Sequence, residues 1–172
     1  MNAEILVLRV VHVLGGIFWL GSGLFTSFFL LPAFAGSGAA AGAVMAGLQR
    51  RRLFTVLPIV ALLTILSGLR LMWIGSAGFS PLYFQSGTGR TFAVSGALAI
   101  IGFLLSLVVA RPAMVRSGQL AASAGAMPAG PERDAINARI GALQRRGAVS
   151  SFAAVSLVTL AGVGMAVARY VA

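Results

Sequence analysis

The residues with the most chemical potential stand together near the start of the chain. The stretch Arg9-Val-Val-His12-Val-Leu-Gly-Gly16-Ile-Phe-Trp19-Leu-Gly-Ser-Gly23 contains the sole histidine of the protein. It lies in an apolar run of 27 residues, Ile5 to Leu31, interrupted only by Arg9 and His12. Set out at ~100° per residue, Arg9, His12, Gly16, Trp19 and Gly23 fall within about 80° of one another and form one stripe. An ionisable group inside an apolar span is costly, so His12 is by default a functional candidate.

Three chemistries suit that stripe. Imidazole is a standard axial ligand of haem b, with Arg9, Arg70, Arg90 or Arg169 as counter-charges for its propionates. Thioethers beside an imidazole suit Cu(I), which would join His12 to Met72 and Met165. The third possibility is a neutral His12 hydrogen-bonded within a bundle, its arginines snorkelling to headgroups. Other chemistries drop out. The acids are Glu4, Glu132 and Asp134, all outside the apolar runs. Carriers driven by protons or sodium, and cation channels, generally use an intramembrane carboxylate, and a hydrolase needs an acid/base set around its histidine. With no cysteine, disulfides, thiolate metal sites and Cys nucleophiles are excluded.

The elements that must position these residues are membrane helices. Mean hydropathy is +0.98 and 9% of the 172 residues are charged, values outside the soluble class. Four spans are expected at 5–31, 53–75, 91–110 and 148–168, forming an all-α four-helix bundle in one domain. Pro32 and Pro112 are expected to close the first and third, and Pro58 to bend the second. Ala33-Phe-Ala35 resembles a signal-peptidase site. The N-terminus lacks positive charge and the apolar run is about twice a signal core, so the first helix is expected to stay in the protein.

The net charge of +10 comes from 13 arginines. Nine of them fall in the loops after the first and third spans, at 50–52 and at 111, 116, 133, 139, 145 and 146. The positive-inside rule puts those loops in the cytoplasm of a bacterial inner membrane, with both termini outside. The arginines then meet anionic headgroups rather than nucleic acid. Within the long loop, Ser117–Gly130 is expected to be mobile. Pro131–Arg146 is expected to be a helix on the inner interface with an Ile136/Ile140/Leu143 stripe, the chain then turning at Gly147. The aromatic segment around Phe79, Tyr83 and Phe84 is expected to cover the outer end.

An internal repeat is visible. Leu48-Gln-Arg-Arg51 matches Leu143-Gln-Arg-Arg146, and Thr64-Ile-Leu-Ser-Gly68 is echoed at Thr159-Leu-Ala-Gly162. Pro32-Ala-Phe-Ala-Gly-Ser-Gly38 returns 80 residues later as Pro112-Ala-Met-Val-Arg-Ser-Gly118. Two parallel helical hairpins would follow. Under that offset His12 matches Phe92, so any site belongs to one half.

The pattern His12-Val-Leu-Gly-Gly-Ile-Phe-Trp19-Leu-Gly-Ser-Gly23, followed by Leu30-Leu-Pro32, resembles the first helix of small four-helix membrane proteins related to copper-resistance protein D and to HemJ-type protoporphyrinogen oxidase. Gly68 and Arg111-Pro112 are similar as well. The resemblance implies His12 as a haem or metal ligand and Trp19 as its packing partner. A homo-oligomer or a larger membrane complex is a further expectation, as is a cofactor-free accessory subunit.

Overall fold

A computed structural model describes residues 2–34, 44, 45 and 47–171. No strand occurs among them, and the elements that matter here are α1 (Ala3–Ala33), α2 (Leu53–Gly75), α3 (Pro81–Gln85), α4 (Gly87–Gly125) and α5 (Pro131–Tyr170). All but α3 are long and apolar enough to cross a membrane. The chain is therefore an all-α membrane protein. Asn2 caps α1, its side-chain oxygen accepting the Glu4 N–H at 3.0 Å. Packing is pairwise: α1 lies chiefly on α2, and α4 chiefly on α5.

Pro112 does not end the third span, and the described part of the first helix reaches Phe34, two residues past Pro32. Each helix runs through its proline on one π turn, Thr26–Leu30 before Pro32 and Ser106–Ala110 before Pro112. The Leu31 N–H donates to Thr26 O, and the Arg111 N–H to Ser106 O. A proline ring clashes with the carbonyl four residues back and has no N–H to offer it. Widening the preceding turn by one residue swings that carbonyl aside and lets the helix continue. The two π turns are 80 residues apart, the offset of the proline repeat. Part of that repeat, at 35–38, lies outside the described residues, as does the signal-like Ala35.

The long loop also differs from expectation. Ser117–Gly125 is helical, and Pro131–Val167 is one unbroken helix with no turn at Gly147. With 39 and 40 residues, α4 and α5 are each about 60 Å long, against a hydrocarbon core of about 30 Å. The excess forms a second layer of the same hairpin. Ala113, Ser117 and Ala124 are buried on α4 where it packs against α5, and Ile140 and Gly147 are buried on α5. The Ile140 stripe thus faces a helix of its own chain rather than headgroups. Small residues on one helix accept larger ones from the other, which removes the need for an interfacial position.

Gly147 is a contact point. A Cβ there would stand 2.7 Å from Met114 Sδ and 3.0 Å from its Cγ. Leucine is the better helix former, so at a surface position Gly147→Leu would stabilise the helix. Here it should destabilise by about 1–3 kcal/mol through overpacking. Adding Met114→Ala should restore most of the loss. Reversible unfolding in mild detergent checks both; a neutral Gly147→Leu would mean the hairpin does not continue past the membrane as described.

Candidate functional site

Helix α1 meets α2 through glycine. A Cβ on Gly15 would collide with the Thr64 hydroxyl, and one on Gly16 would lie 3.7 Å from Thr64 Cγ2. One turn away, the His12 ring stands directly on Gly68. A Cβ at Gly68 would fall 2.6 Å from Cε1 and 2.9 Å from Nδ1 of the imidazole. No ordinary side chain fits under that ring. The close approach brings His12 Nδ1 to 2.8 Å from the backbone carbonyl of Thr64, across two helices.

A carbonyl only accepts, so Nδ1 carries the proton in this contact. Thr64 O has a second lone pair for the imidazole, and the Ser67 hydroxyl is a shared rather than a dedicated donor to it. Thr64 Oγ1 donates to Val60 O at 2.8 Å, and the single Ser67 hydroxyl proton has its shorter partner in Leu63 O at 2.7 Å, with Thr64 O at 3.0 Å. With Nδ1 donating, the neutral form of the ring has its lone pair at Nε2. Among the described residues Nε2 has no hydrogen-bond partner, and no buried polar side-chain atom lacks one, so Nε2 is reachable from outside the bundle. A backbone carbonyl holding Nδ1–H while Nε2 stays open is how proteins orient a histidine toward a metal.

The rest of the stripe also faces neighbours. Trp19 packs edge-on against Phe103 of α4, centroids 6.2 Å apart, and a Cβ on Gly23 would lie 3.1 Å from Val155 of α5. Arg9 is exposed. Arg70 is engaged by Glu4, with Nη2 and Nε at 2.7 and 2.8 Å from Oε1, in a pair nearly half exposed and thus worth at most about 1 kcal/mol. Arg90 donates to Gln85 O at 2.7 Å. Met72 reaches α4, its methyl 3.6 Å from where a Cβ on Gly96 would be, while Met165 is half-buried on α5 and Arg169 exposed beyond it. Among the described residues no group of three His, Cys, Asp or Glu assembles.

The adjoining end of α2 is closed by aromatics. Trp73 meets Phe79 at 5.1 Å and Phe84 meets Tyr83 at 5.3 Å. Phe79 holds a left-handed backbone (φ 62°), its N–H bound by the buried Ser76 hydroxyl at 2.8 Å.

Sequence reasoning placed His12 on one stripe of the first span and singled out Thr64-Ile-Leu-Ser-Gly68 of the second as a repeated element. It missed that the two meet with His12 over Gly68, and it missed the Glu4–Arg70 pair. Comparison of the chain with family models, with curated proteins and with solved structures finds no match.

Two glycine substitutions separate the site from general helix effects. Gly68→Ala should lower the unfolding midpoint by an amount equal to about 1–3 kcal/mol, because the ring must leave its floor. Gly21→Ala, further along α1 and with nothing within 4 Å of its Cβ, should be neutral or stabilising by up to about 1 kcal/mol. Equal effects at the two positions would contradict the contact.

Proposed function

We propose that the protein binds haem b, or a metal ion, through His12 near the outer end of the bundle, in a redox or metal-handling role. The observation that carries this reading is the Nδ1–Thr64 carbonyl contact over Gly68, which leaves Nε2 as an open donor. The donor fits a haem iron or a soft metal. With Arg70 held by Glu4 and Arg90 by Gln85, Arg9 is the stripe cation left to face a propionate. The chain offers a ligand but not an enclosed cage, so a macrocycle would lie against the α1–α2 face, covered by lipid or another chain. Bound haem would supply one-electron chemistry there. The motif likeness to the copper-resistance protein D and HemJ-type proteins points the same way.

The visible spectrum of the purified protein tests this. A Soret band that vanishes in His12→Ala and returns with added imidazole is the expected result for haem. For copper, elemental analysis should show metal that His12→Ala loses and that Met72→Leu with Met165→Leu also loses. A colourless, metal-free protein contradicts both. A second reading, a cofactor-free accessory subunit of a larger membrane complex, is favoured by α1, none of whose residues is buried. Its apolar outer side, from Leu6 and Val10 to Phe25 and Phe29, is open to lipid or to another chain.

The proposed location is a bacterial inner membrane with the arginine-rich hairpin in the cytoplasm. The protein has no cysteine, so Ser123→Cys, on the exposed end of α4, gives one labelling site. Only a membrane-permeant thiol reagent should reach it in intact cells; labelling by an impermeant reagent would reverse the orientation.

A further inference from the structure

We infer that one diacyl phospholipid with an anionic headgroup binds specifically in a groove along α5, at the arginine-rich end of the bundle and remote from His12. Two open clefts meet at Val149. One, about 430 Å³, lies between the π turn of α1 and α5, lined by Ser27, Leu31, Pro32, Val149 and Phe152. The other, about 500 Å³, continues along α5 past Arg145 and Arg146, over a floor of Ala138, Gly141 and Ala142.

The chemistry changes along the groove as it does along a lipid. Its inner half is apolar and lies in the span, flanked by the Phe28–Phe152 ring contact at 5.4 Å. Val149 and Phe152 are 65% and 50% exposed, so no side chain of the described residues covers them. Arg145 and Arg146 immediately precede the apolar stretch that starts at 148, which sets them at headgroup level. Neither has an ion-pair or hydrogen-bond partner among the described residues. Two unpaired guanidiniums beside each other suit a phosphodiester, and the alanine and glycine floor beyond them leaves space for the remaining headgroup. The proline-induced π turn shapes the apolar wall, since Leu31 and Pro32 follow it directly. On its other side α5 is filled: Gly147 is packed under Met114 beside Ala110 of α4. The groove thus joins the two halves, with α1 supplying one apolar wall and α5 the other wall and both arginines.

Native mass spectrometry of the full chain, delipidated and then exposed to phosphatidylglycerol or phosphatidylcholine of the same acyl chains, tests the assignment. Wild type should retain phosphatidylglycerol at least about tenfold better. The double variant R145Q/R146Q should bring the two lipids level, and Val149→Trp, at an exposed position, should lower retention of both. R111Q/R116Q removes the same charge from α4 and should leave the preference intact. Equal retention of both lipids by wild type would overturn the site. So would a loss of preference in R111Q/R116Q as large as in R145Q/R146Q, which would mean diffuse charge attraction, or displacement of the lipid by inorganic phosphate, which would mean a simple anion site.

Discussion

The contact on which the arrangement of the first hairpin depends is a side chain of one helix bonding the backbone carbonyl of another. In lipid no hydrophobic drive brings helices together, so association rests on close packing and on interhelical hydrogen bonds worth about 0.6–2 kcal/mol each. His12 supplies both. Its ring fills the space that Gly68 leaves empty, and its Nδ1–H finds Thr64 O at 2.8 Å. Gly15 and Gly16 then admit the Thr64 side chain a turn further along. Remove the glycine and the ring has no place; remove the imidazole and the hairpin loses its polar link inside the span. The same bond that ties the helices together fixes which nitrogen faces outward, so structure and chemistry depend on one proton.

The second hairpin solves the same packing problem without a titratable group. There Ser95 on the first helix of the pair meets Gly164 on the second, which exchanges the glycine and hydroxyl roles of Gly15 and Thr64. The bare backbone of Gly102 lies against Ala154 O, where a Cβ would be 2.9 Å away. The two halves share their π turns at an 80-residue offset, yet Phe92 stands where His12 would be. What the halves do not share is informative. The first has the imidazole; the second has the long arginine-bearing extension, whose Arg145 and Arg146 line the groove shared with α1.

Much of this was legible in the residues. Hydropathy and length located all four spans, the second at its observed bounds, because a bilayer leaves the backbone few options. The inward stripe from His12 to Gly23 followed from helical periodicity alone. The failures share a cause. Pro112 and Gly147 were taken as stops on local grounds, but a π turn carries the helix through Pro112, and the Met114 contact holds Gly147 within a helix. The buried face of α5 runs through Ala154, Val155, Val158 and Ala161. Which face of a helix turns inward depends on the partner helix. The register that sets His12 over Gly68 is likewise a property of two helices together, and neither stripe contains it.

Because the chain has one histidine, no residue assignment is needed, and couplings to the ring protons Hδ2 and Hε1 tell Nδ1 from Nε2. A ¹⁵N spectrum of histidine-labelled protein in lipid should show a protonated Nδ1 and a bare, pyridine-type Nε2, and Gly68→Ala should abolish that pattern. An Nε2–H tautomer, or a ring protonated on both nitrogens at neutral pH, would mean that Thr64 does not hold Nδ1 as a neutral donor and that His12 offers no open lone pair.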